Sequence, residues 1–272
     1  MSPLLRIGFG LLFALSLASS AVRADEINDL ANQAMEISGS REVLENMGKS
    51  LERQLATDPR VTKLKKQEKA ELSATLKDAF DGRRMAADIT GELAASGDRE
   101  RLSAAVAAMR DPAYLKLNRL FVAESLKATD QAVLAYAKGF EKKPPDPSRV
   151  QLAQRLDAAT GSSRIMADMK YEMLHKAVAG MLSETDREAK LAALRAQIDA
   201  QAPDEFALRT LYTWRKANIQ DLEGYVRAHK NEAMGWLSRK IGYGMQNAMT
   251  HSMGEMMSKL LALGAKHKPG IK

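Results

Sequence analysis

Leu30-Ala31-Asn32-Gln33-Ala34-Met35-Glu36-Ile37-Ser38-Gly39-Ser40 returns 122 positions later as Leu152-Ala153-Gln154-Arg155-Leu156-Asp157-Ala158-Ala159-Thr160-Gly161-Ser162. The match runs on through Val43-Leu44 and Ile165-Met166 to Met47 and Met169. A second block recurs at an offset of 120. There Asp98, Leu102, Val106, Ala113, Leu117 and Arg119 become Asn218, Leu222, Val226, Ala233, Leu237 and Arg239 with the same gaps. Two blocks with nearly one period predict a duplicated unit the size of a small domain, well above the period of a solenoid. The middle of the unit, 60–96 against 184–216, aligns poorly, so the duplication there is inferred from its flanks.

Helix punctuation accompanies the repeat. Gly39 and Gly161 stand where a first helix should stop, and Ser40 and Ser162 follow as expected N-caps of the next. Asp58-Pro59 and Asp111-Pro112 each join a capping side chain to a proline at the first helical position, where the missing N–H is harmless. Ser183 to Asp186 and Asn218 to Asp221 resemble capping boxes with aspartate at the third position. No stretch alternates β-branched residues as a strand would. The chain therefore reads as all-α, two related multi-helix units in tandem with about six helices each. The expected helices are 26–38, 41–56, 60–80, 83–96, 99–110 and 112–140, then 148–160, 163–182, 184–201, 203–216, 219–230 and 232–264.

Lys142-Lys143-Pro144-Pro145-Asp146-Pro147 marks the seam, since three prolines in four residues forbid helix. This divides the chain into a signal peptide, 1–24, a first unit, 25–141, the Pro-rich connector, 142–147, and a second unit, 148–272. The signal peptide is read from the apolar run after Arg6 and from Val22 and Ala24 at the −3 and −1 positions of a cleavage site. Export to the periplasm with cleavage after Ala24 is the expectation. The apolar run is too short to span a bilayer, so no transmembrane segment should remain after cleavage.

Composition narrows the chemistry. The absence of cysteine removes disulfides, thiolate metal sites, thiol catalysis and a lipid-modified cysteine. Residues 25–146 carry 20 basic and 21 acidic side chains, whereas 147–272 carry 19 and 13, so the basic excess belongs to the second half. For an exported protein such a surface suits anionic headgroups, cell-wall polymers or acidic proteins rather than nucleic acid, and a merely solubilising excess of Lys and Arg is the simpler reading of it.

These residues resemble a bacterial family of exported, all-helical proteins defined as a domain of unknown function with a duplicated helical unit. The resemblance rests on the opening Leu152-Ala153 to Met169, on Tyr212-Thr213-Trp214-Arg215, and on Asp221-Leu222-Glu223-Gly224-Tyr225-Val226 leading into Asn231 to Gly235. Members carry a Ser-Pro and a glycine at that last turn. The first copy here keeps the proline, as Asp111-Pro112, without the glycine; the second copy has the reverse. The likeness implies a helical periplasmic protein and no particular activity.

Candidate sites are few. Met245, Met249, Met253, Met256 and Met257 recur at spacings of three and four and form a thioether stripe on one helix side. Methionine fills irregular cores and adaptable contact surfaces, and it is also a soft ligand suited to Cu(I). His251 lies about 200° around the helix from Met249 and does not join the row. Gly244, Ala248 and Ser252 beside it permit close helix approach, within the unit or across a homodimer. Four of the eight Trp and Tyr residues fall between Tyr212 and Trp236, so Trp214, Arg215 and Trp236 could stack on a ligand or anchor the core. Glu172 and His175 share the Glu-x-x-His spacing of di-iron bundles but lack a second copy, and an exposed face is the expectation for them. No nucleophile motif, phosphate loop or zinc-protease motif occurs, so no catalytic residue, metal or cofactor is expected. The leading expectation is a non-enzymatic interaction or chaperone-like module binding an envelope protein or peptide. Soft-metal handling through the methionines, or an envelope hydrolase with an unidentified site, are the alternatives.

Overall fold

The long apolar-and-small sequence from Ala233 onward builds the helix around which the rest is arranged. In the computed structural model, which describes residues 24–56, 59–178 and 184–266, this helix is α13, Glu232–Lys266. At 1.5 Å per residue its length is about 50 Å. Asn231 starts it by accepting the Ala233 N–H at 2.9 Å. Three glycines then let three neighbours close in. A Cβ at Gly235 would lie 3.1 Å from the Ala159 carbonyl oxygen, one at Gly242 would lie 2.7 Å from Ile165 Cδ1, and one at Gly244 would lie 3.1 Å from Ile89.

All the described secondary structure is helical. In chain order come α1 (24–37), α2 (Ser40–Ala56), α3 (Pro59–Thr62), α4 (Lys66–Ala79), α5 (Gly82–Ala95), α6 (Arg99–Met109), α7 (Pro112–Ser125) and α8 (Asp130–Lys138). A 3-10 turn, Gly139–Glu141, precedes the connector. Then follow α9 (Pro147–Thr160), α10 (Ser162–Val178), α11 (Glu184–Trp214), α12 (Ile219–His229) and α13. None of the described helices is long and apolar enough to cross a membrane. Residues 1–23, which hold most of the expected signal peptide, lie outside the described residues.

The two sides of the connector share one core. α13 packs on α4, α5 and α6 as well as on α9, α10 and α12, while α7 packs on α11 and α12. Each half thus lays a late helix across the middle helices of the other. Met35, Leu44, Ile89 and Leu102 accordingly join Trp214, Leu222, Met234 and Leu237 in a single buried cluster. A row of small residues on α13 faces this packing. Gly244 meets Ile89 of α5, and Ser252, 1% exposed, lies two turns further along.

Capping follows the sequence closely at several ends. Asp111 accepts from Ala113 and Tyr114, Asp146 from Ser148, and Asn218 from Asp221. Gly39 and Gly161 adopt φ of +73° and +69°, ending α1 and α9. The serines after them are not the caps. Val43 donates to the Gly39 carbonyl and Ile165 to the Gly161 carbonyl, so each glycine opens the next helix, and Ser40 and Ser162 are its first residues. Asp58, and Ser183 at the head of the expected 184–201 helix, lie outside the described residues.

Three helix boundaries differ from expectation. The 60–80 segment breaks at 63–65, where the Glu68 carboxylate accepts the Lys65 N–H at 2.7 Å and begins α4 anew. The 112–140 segment breaks after Ser125, and Thr129 starts α8 by accepting from Ala132. In contrast, 184–201 and 203–216 form one helix with Pro203 inside it. An interior proline costs about 3 kcal/mol. Burial of Leu191, Ile198 and Ala202 before it, or at its edge, and of Phe206 and Leu211 after it, holds both sides against α9 and α10.

Candidate functional site

The methionine stripe begins in the core and leaves it along α13. Met245 and Met249 are half-buried against the large cluster. Met249, Met253 and Met256 border a second, smaller cluster of Leu76 and Ala79 of α4 and Phe80 just after it, with Met47 and Leu51 of α2 beside it. Met257 is 42% exposed. The stripe is therefore neither sealed nor free. It forms a graded edge whose far end reaches solvent, supported by α2 and α4. Around it, Lys259 pairs with Asp78, and Glu255 takes Arg84 at 2.8 Å and His251 at 3.2 Å. His251 is thus engaged on another face than the sulfurs.

The aromatic candidates do not form a surface. Trp214 is fully buried, edge-on to Tyr225 with ring centroids 6.5 Å apart, and its indole Nε1 has no hydrogen-bond partner among the described residues. Trp236 is half-buried against the same core. The Arg215 guanidinium lies 3.9 Å from the Tyr212 ring centroid and pairs with Glu124. Glu124, 3% exposed, also takes Lys216 at 3.0 Å and Lys127 at 3.5 Å. The hydrogen bond from Lys216 and the charges of Arg215 and Lys127 hold its carboxyl below its ordinary range in spite of burial. Of the three, Trp214 is sealed in the core, Arg215 is half-buried and engaged by Glu124 and Tyr212, and Trp236 is half-buried against the core, an arrangement in keeping with the core-anchoring reading of these residues.

Glu172 and His175 do share a side of α10, yet both are half-buried, not exposed as expected. Tyr171 lies against the His175 ring at 5.6 Å between centroids. Among the described residues no three His, Asp or Glu side chains are grouped so as to hold a metal ion.

Two features were missed in the sequence. One is an aromatic stack between α7 and α12. Tyr114 and Tyr225 stack at 5.1 Å, and His229 lies 4.4 Å from Tyr225. The Tyr225 hydroxyl donates to Asn118, whose amide donates to the Ile37 carbonyl at the end of α1. His229 Nδ1–H donates to the Tyr225 carbonyl at 3.0 Å, while burial pushes the imidazole pKa below its ordinary value of 6.5. The unfolded chain then binds the proton more readily than the folded one. Stability is full above about pH 6.5 and declines as the pH falls below it. Glu124 adds a separate loss on acidification below its ordinary 4.5, because its folded pKa is depressed. Denaturant unfolding followed from pH 8 to pH 5 should show the first decline in the natural protein and a flatter profile in His229→Gln.

The second missed feature is a cleft of about 410 Å³ where α9, α12 and α13 meet, bordered by Arg155, His229, Lys230, Glu232, Gly235 and Arg239. Arg239 donates to the Ala159 carbonyl at 3.2 Å, closing the end of α9. Glu232, its side chain 81% exposed, pairs with Arg101 at 3.0 Å. The signal for this cleft was present only in bulk, as the basic excess of the second half.

The chain was compared with protein-family models, with curated proteins and with solved structures; no family model, curated protein or solved structure matches it.

Proposed function

We propose that the protein is exported, loses residues 1–24, and works in the periplasm as a non-enzymatic, chaperone-like module. It would hold apolar segments of other envelope polypeptides against the outer half of α13. The observation that carries this reading is the graded methionine edge: Met249, Met253 and Met256 half-buried over Leu76 and Phe80, leading to exposed Met257. Unbranched thioethers repack at little cost, which suits a surface that meets varied apolar sequences. The fold is read in the same proposal as two related helical units, with α1, α2, α6 and α7 answering to α9, α10, α12 and α13 across the connector. The exchange of α7 and α13 between halves supports this reading.

Light scattering from a reduced, unfolded model polypeptide tests the activity. The mature chain should suppress its aggregation at near-equimolar ratios, and Met256→Glu with Met257→Glu should abolish the effect while leaving the helical circular dichroism unchanged. Failure of the natural chain to suppress aggregation would remove the chaperone-like reading. Export has its own test: a chain recovered from a periplasmic extract should begin at Asp25, and a chain starting at Met1 in the membrane fraction would replace cleavage with anchoring.

A further inference from the structure

The cleft between α9, α12 and α13 brings cations together without the acids that would balance them. Arg155 extends from α9, Lys230 ends α12, and Arg239 extends from α13. Among the described residues the side chains of Arg155 and Lys230 have no ion-pair or hydrogen-bond partner, and the Arg239 side chain spends one donor on a carbonyl. Glu232, the single carboxylate bordering the cleft, is already bound by Arg101. Positive charges gathered from three elements around one cleft repel one another unless an anion joins them.

The corresponding place in the first half is built differently. The offsets that relate the two halves carry Arg155 back to Gln33 and Lys230 back to Arg110. There Arg110 Nη2 donates to Gln33 Oε1 at 2.6 Å, so the pair satisfies itself. In the second half the amide acceptor is replaced by a second cation. The change removes an internal partner and adds a charge, which is the exchange expected where an external anion takes the acceptor's place.

We infer that this cleft binds a phosphate group carrying two negative charges, either free phosphate or the terminal phosphate of a monoester headgroup. A guanidinium fork donates to two phosphate oxygens at once, and the ammonium of Lys230 adds a point charge. The cleft is open to solvent at the exposed side chains of Arg155, Lys230 and Arg239, so a substituent on the phosphate has a way out.

The test uses the full mature chain in two arms. Inorganic phosphate is titrated calorimetrically at low ionic strength, and flotation is measured with phosphatidylcholine vesicles with and without phosphatidic acid. Arg155→Gln with Lys230→Gln should weaken the interaction at least tenfold, whereas Arg110→Gln should leave it unchanged. Saturable binding of inorganic phosphate that the double variant loses supports the site with free phosphate as a ligand. Flotation only with phosphatidic acid, again lost in the double variant, supports it with a headgroup as the ligand. Absence of binding in both arms, or binding unaffected by the double variant, overturns the inference. Because the substituted residues are exposed, unchanged thermal unfolding of the variants excludes misfolding as the cause of a loss.

Discussion

Replacing Trp214 with alanine should destabilise the protein by about 3–5 kcal/mol, the usual cost of emptying a buried tryptophan site. The indole is fully enclosed where the end of α11 meets α12, and its loss removes the edge that packs on Tyr225. Trp214→Phe should cost much less than Trp214→Ala. Phenylalanine keeps most of the ring volume, and the deleted Nε1–H makes no hydrogen bond among the described residues. Urea unfolding of the two variants measures the difference. Equal losses would mean that the indole N–H, and not the ring volume, sustains the junction.

Gly39→Ala should be nearly as damaging, and Gly161→Ala should be mild. Both glycines have positive φ, where an L side chain costs roughly 1–2 kcal/mol. At Gly39 the new methyl would also fall 2.3 Å from Val122 Cγ2 of α7, whereas at Gly161 the nearest atoms are 4.0 Å away on the flexible Arg239 side chain. Overpacking of that kind adds about 1–3 kcal/mol. The expected total is therefore about 2–5 kcal/mol for Gly39→Ala and about 1–2 for Gly161→Ala. Denaturant midpoints of the two variants, measured in parallel, check the asymmetry.

This pair also shows how much of the fold was legible from the chain. Glycine at 39 and 161 marked two helix ends correctly because the positive φ is a local demand. Asp111 and Asn218 were equally readable, since a cap bonds to N–H groups two or three residues away. What escaped was set by distant partners. The chain stops being helical after Ser125, beside a buried Glu124 that meets Arg215 and Lys216 about ninety residues onward. Pro203 was expected to divide two helices, yet burial on both sides keeps α11 whole. The exchange of α7 and α13 between halves has no local signature at all, because an amphipathic face does not name the helix that covers it.

The candidate site was partly legible for the same reason. Periodicity alone places the five methionines in a row, but its graded exposure depends on where α4 ends and on Leu76 and Phe80 reaching α13. For Trp214 and Arg215 the sequence favoured packing over ligand binding without naming partners; the core closes over one and Glu124 engages the other. The basic cleft needed three helix ends to meet. Composition registered its charge without its location.

A photo-crosslinking amino acid placed at position 257, with a control at Glu223 on the exposed side of α12, tests the central claim most directly. Irradiation with the unfolded model polypeptide should give a covalent adduct from position 257 and none from position 223. Adduct formation from 223 alone, or in equal yield from both, would contradict a binding surface on the outer half of α13.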